Sequence, residues 1–162
     1  MNLKSLLKNK TVKTVLQILA VPILGFILLN IAFIFDSLFQ RAIMALVGIF
    51  LPGDVFMGYH WVPPMLHFSF MLVILIISWF IFRSKMSVLL KAVYMVVPLA
   101  TVFATIGILF YSLPVVVLTL GALFFLGVLY YLYKTKQPWL YYYALAFIGV
   151  LMLLVAITGV EI

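Results

Sequence analysis

The chain has no cysteine, three carboxylates and two histidines among its 162 residues. Without cysteine there are no disulfides, no thiol redox chemistry and no thiolate-held zinc or iron–sulfur site. The scarcity of charge excludes more. Charged residues make up 8% of the chain, whereas a soluble domain carries roughly 25%, so there is too little polar surface to face water on every side. The patterns HExxH and GxSxG are also missing, which leaves zinc-peptidase and nucleophile-elbow chemistry without a foothold. No internal repeat and no low-complexity linker divides the chain.

What the chain does have is 69% hydrophobic residues and a mean hydropathy of +1.39, a composition suited to lipid as solvent. Its net charge of +7 comes from short basic clusters between apolar runs. That distribution marks membrane topology, not a phosphate-tracking groove, and no nucleic-acid partner is expected. The expected fold is all-α: a polytopic integral membrane helix bundle forming a single transmembrane domain over residues 1–162. Five transmembrane helices are expected over about 14–35, 65–82, 90–111, 115–133 and 139–159, each near the length that crosses a hydrocarbon core of about 30 Å. The first apolar run exceeds the roughly 7–15 residues of a signal-peptide core and is followed by no small-x-small site, so it is read as a retained span.

Between the first two spans lies the most varied stretch, residues 36–64. Ser37, Gln40, Arg41, Ala45 and Gly48 recur at steps of three and four and draw a narrow polar stripe along an otherwise apolar helix. The uncharged part ends at Pro52-Gly53 and is too short to span the core, so 37–51 is expected to be one interfacial or re-entrant helix. The following loop carries Tyr59 and Trp61, side chains suited to the headgroup level. Ala100, Ala104 and Gly107, with Thr101 and Thr105, offer a small-residue face on the third span, and Gly25 and Ala32 do so on the first. Gln17 and Asn30 are expected to face protein. The tyrosines at 130, 131, 133, 141, 142 and 143, with Trp139, bracket the Lys134–Lys136 turn as an aromatic belt.

Five spans with a cytoplasmic N-terminus put nine of the ten basic residues on the inner side, with only Arg41 outside. A sixth span over 38–51 would reverse Arg83, Lys85, Lys91 and the Lys134 turn, against the positive-inside rule. The expected location is therefore a cell membrane (inner or plasma), multi-pass, with the C-terminus extracytoplasmic.

Two functions of different class fit these residues. The first is a non-enzymatic transport or binding component, or an accessory subunit of a membrane complex. Its partners would be membrane lipids, and it would assemble as a homo-oligomer or with a partner membrane protein. The second is an intramembrane enzyme acting on a lipid or lipid-linked substrate at the outer leaflet. In that reading Asp36, Asp54 and His60 are the candidate catalytic residues, because converging carboxylates can share a proton and an imidazole titrates near neutrality. The bland alternative has Asp36 ending span 1 and His60 in solvent. Candidate ligand-binding residues are Arg41, His67, Trp61 and Asn30. His67 stands one turn inside span 2, where an ionisable group is a functional candidate by position, within reach of a carbonyl of the re-entrant helix. His60 and His67 with Met57 and Met65 form too unspecific a set for a metal, and no metal or other cofactor is expected.

Overall fold

A segment entering hydrocarbon must pair its own backbone N–H and C=O groups, which an α-helix does within one element. The computed structural model describes residues 10–50 and 61–158, and its long elements are all α-helices. They are α1 (Lys10–Phe50), α2 (Val62–Arg83), α3 (Val88–Leu109), α4 (Pro114–Lys134) and α5 (Trp139–Thr158). The first four are long and apolar enough to cross a membrane, and α5 is a shorter apolar helix. The chain is a helical membrane bundle.

From α2 to α5, tight turns make successive helices antiparallel. Ser87 caps α3 by accepting from the Leu90 amide at 3.3 Å. Pro114 opens α4 at a position where its missing N–H costs nothing. Between α4 and α5, Lys136 takes φ 50° and the Gln137 amide donates back to the Leu132 carbonyl at 3.0 Å, ending α4 before Pro138. The α2–α3 turn is held differently. Lys91 Nζ donates to the carbonyls of Phe82 at 2.8 Å and Ser84 at 2.7 Å, so a cation caps the negative end of α2.

α3 is the central helix and packs on α1, α2, α4 and α5. Its residues from Met95 to Thr105 include an unbroken buried run over 95–101. Lipid chains are as apolar as leucine, so helices associate here by close packing, not by escape from water. Small residues supply that closeness. A Cβ at Gly25 of α1 would meet Val96 Cγ2 of α3 at 2.7 Å, and one at Gly149 of α5 would meet Phe125 Cε2 of α4 at 2.6 Å. Ala100 and Ala104 are buried on α3 as expected, but nothing lies within 4 Å of the space a Gly107 side chain would fill. α4 is the outermost helix, with Leu132 its one buried residue, and it is held partly by an edge-to-face Phe103–Phe124 pair at 5.2 Å.

The largest departure from expectation is α1. Residues 37–50 are not a separate interfacial helix; they continue the first span without a break, giving 41 residues and a length of about 60 Å, roughly twice a hydrocarbon core. No proline lies between Pro22 and Pro52, and Asp36 does not end the helix because its carboxylate is engaged elsewhere. With Asp36 level with His67, α2 begins level with about residue 41, and the rest of α1 runs on past it.

Three smaller corrections follow. Asn30 is exposed instead of facing protein, and its amide donates to the Phe26 carbonyl at 2.8 Å, which satisfies a donor without any neighbour. Gln17 is only half-buried. The aromatic belt divides: Tyr130, Tyr131, Tyr133 and Trp139 are exposed, whereas Tyr141 is buried against Phe82 and Tyr143 donates to the Ile18 carbonyl at 3.1 Å.

The glycine contacts give a direct test. Gly25→Val forces two β-branched side chains into one space and is expected to destabilise by about 1–3 kcal/mol. Gly149→Val should do the same against Phe125, while Gly127→Ala, which meets nothing within 4 Å, should leave stability unchanged or raised. Thermal unfolding of the three variants in one detergent checks the order.

Candidate functional site

The polar stripe on α1 becomes a site because a second helix closes over it. Phe33, Asp36, Ser37, Gln40, Arg41 and Met44 are spaced by three, one, three, one and three residues, so they share one face of α1. The first turns of α2 supply Val62, Pro63 and Leu66 opposite them. Together they line a partly open groove of about 400 Å³, within the range of small-molecule sites. One wall is apolar and the other presents a carboxylate, a hydroxyl, an amide and a guanidinium.

Asp36 is the centre of the polar wall, 6% exposed. Its Oδ2 lies 2.6 Å from His67 Nδ1, and Gln40 Nε2 donates to its Oδ1 from 3.0 Å, one turn along α1. Both carboxylate oxygens are thus acceptors of N–H bonds, the arrangement that suits an ionised carboxylate and a Nδ1–H imidazole. His67 is 5% exposed, and its Nε2 is buried with no hydrogen-bond partner among the described residues. This is the one ion pair among the described residues. Phe39 packs on Phe70 with ring centroids 5.7 Å apart, and Ala32, Phe70, Ile74 and Val97 form the apolar cluster on the bundle side.

The pair crosses 31 positions of sequence and joins two candidates that sequence reasoning kept apart. His67 was expected to find a carbonyl, and Asp36 to end a span; each is the other's partner instead. The usable signal is depth. His67 stands about one and a half turns inside the start of α2 and Asp36 lies level with it, and a buried ionisable group requires a partner at its own level.

The remaining candidates separate. Arg41 is exposed at the groove's rim. Trp61 is exposed and caps α2. Asn30 lies less than one turn from Phe33 at the near end of the groove but does not line it. Asp54 and His60 lie outside the described residues, as does Met57. Among the described residues, no three His, Cys, Asp or Glu side chains gather as a metal site.

No family model, curated protein or solved structure matches this chain. The reading of the site therefore rests on its own chemistry.

That chemistry is testable by a double-mutant cycle. Asp36→Leu or His67→Leu alone strands a buried polar group and is expected to cost about 3 kcal/mol. The double variant Asp36→Leu with His67→Leu should recover most of that loss, since an apolar pair of similar volume can replace a buried ion pair. Unfolding free energies in detergent are the measurement, and additive losses would show that the two side chains are not coupled.

Proposed function

We propose that the protein is a non-enzymatic binding or transport component that holds one anionic amphiphile in the α1–α2 groove. The observation that carries this reading is the joining, in one partly open cleft, of apolar lining (Val62, Pro63 and Leu66 on α2, Phe33 and Met44 on α1) to the exposed Arg41 guanidinium. Arginine binds phosphate oxygens through a planar fork of donors. Ser37 and Gln40 stand one residue or one turn away to take further oxygens, and the apolar side chains suit acyl chains. Both oxygens of Asp36 are already hydrogen-bonded by His67 and Gln40, which favours a structural and electrostatic role for it over activation of water.

Seven described basic residues support an orientation for this groove. Lys10, Lys13, Arg83, Lys85, Lys91, Lys134 and Lys136 belong to the helix ends and turns at one end of the bundle, and Arg41 belongs to the other. By the positive-inside rule the basic end is cytoplasmic, the membrane is the cell membrane, and the groove opens in the outer leaflet. The lack of native cysteine makes this simple to examine. A single cysteine at Trp61→Cys should react with an impermeant maleimide on intact cells, and Lys85→Cys or Lys134→Cys only after permeabilisation; the reverse pattern would invert the orientation.

Ligand binding is tested with short-chain phosphatidylglycerol, its zwitterionic phosphatidylcholine counterpart and free glycerol phosphate, by native mass spectrometry. Retention of the anionic lipid in preference to both others is expected. Arg41→Gln should weaken it by about tenfold, the effect of losing one charge-assisted contact. Equal retention of all three, or an unchanged Arg41→Gln protein, would count against the reading.

A further inference from the structure

We infer that Asp36 is a proton-binding site inside the groove, and that the protein takes up one proton when an anionic amphiphile binds. This rests on the groove reading above and adds to it the coupled ion. The geometry supplies the argument. Asp36 is both a groove-lining residue and a nearly buried one, so a ligand's negative charge entering the groove comes to rest beside a carboxylate already held in low dielectric. Two like charges there are costly, and the usual relief is neutralisation of one of them.

The surrounding bonds show where the proton goes. His67 Nε2 is sealed off, and an N–H formed there would have no acceptor, a loss of about 1–3 kcal/mol for a buried donor. Asp36 Oδ1 has no such obstacle. It faces Gln40, whose amide donates to it at 3.0 Å, and Gln40 also lines the groove. Rotating that amide by half a turn presents its carbonyl oxygen, so that a protonated Oδ1 donates to Gln40 while His67 Nδ1–H keeps its bond to Oδ2. The proton comes from water in the groove and forms an O–H bond at Oδ1. The only bonds exchanged are that one and the Gln40 hydrogen bond. No buried group loses its partner in either state.

No other described ionisable group competes at this position. On the elements packed around the pair, α1 contributes Arg41 at the rim and Lys10 and Lys13 at its far end. α2 contributes Arg83 at its far end. On α3, Lys91 is engaged by the Phe82 and Ser84 carbonyls and Tyr94 by Ser78, both at the opposite end of the bundle. The sign follows. Anion binding is accompanied by proton uptake, so by reciprocal linkage affinity rises as pH falls, by up to about tenfold per pH unit for one proton.

The experiment uses full-length protein in nanodiscs and phosphatidylglycerol, whose phosphodiester keeps its charge over the range in which the protein is tested. Calorimetry in two buffers of different ionisation enthalpy counts protons, and infrared difference spectra report a protonated carboxyl carbonyl. The expected result is uptake of about one proton per lipid, with a carboxylic-acid band that Asp36→Asn removes. Asp36→Asn should also bind lipid with an affinity that no longer varies with pH. Asp54→Asn, which leaves Asp36 the sole aspartate for isotope labelling, should keep both band and proton count, and it assigns the band even should Asp36→Asn fail to fold. Lipid binding without proton uptake, or a band that follows Asp54, overturns the inference while leaving the groove reading intact. If no lipid binds at any pH, the groove reading fails. The unloaded protein then decides the proton site alone: a carboxylic-acid band of Asp36 that grows as pH falls supports it, and its absence sinks it.

Discussion

The structure depends on one constraint: a polar side chain in hydrocarbon must find its hydrogen bond without help from water. Most of the bundle meets it locally. Asn30, Ser69, Ser78, Thr101, Thr105 and Thr119 each donate to the carbonyl four residues back on their own helix, which leaves helix faces free to pack by shape. Asp36 has no such option, because a carboxylate accepts and the backbone N–H groups around it are already used by α1. It must be met by donors from outside the backbone, and Gln40 and His67 are those donors. A local rule thereby becomes a tertiary one, since only α2 in its observed register brings His67 level with Asp36.

That bond explains what was legible in the sequence and what was not. The turns and the all-α membrane class follow from hydropathy and from Pro, Ser and Lys between apolar runs, because those features act within a few residues. The stripe of Ser37, Gln40 and Arg41 was legible for the same reason, and it forms the polar wall of the groove. The continuity of α1 was not. Asp36 in an apolar run reads as a boundary when its partner is unknown, and the partner is 31 residues away. Asn30 misled in the opposite sense: its amide suggests a protein neighbour, but bending back to the Phe26 carbonyl satisfies a donor at an exposed position. Tyr141 and Tyr143 were counted with the belt because composition cannot tell which side of a helix a tyrosine occupies.

The two ends of the bundle differ in how they use charge. At the basic end, charge is spent on geometry and topology: Lys91 closes the α2–α3 turn, and Arg83 lies 3.9 Å from the centre of the Trp79 ring. At the other end the described charges are one acid and one base on the same face of α1, Asp36 and Arg41, of which only the acid is paired with a described residue. They are five positions apart, too far round the helix for the close i, i+4 contact that would let them neutralise each other.

A groove holding at its rim a guanidinium that no described residue pairs, and a nearly buried carboxylate about one turn deeper, has a built-in polarity. An anion is drawn to the rim and resisted at the floor. In the proposed reading the resistance is removed by a proton while α1 and α2 stay packed through Phe39 on Phe70 and the Ala32, Ile74 and Val97 cluster. A rigid frame with one adjustable charge can alter its affinity without altering its shape, and the adjustable element is as small as the Gln40 amide.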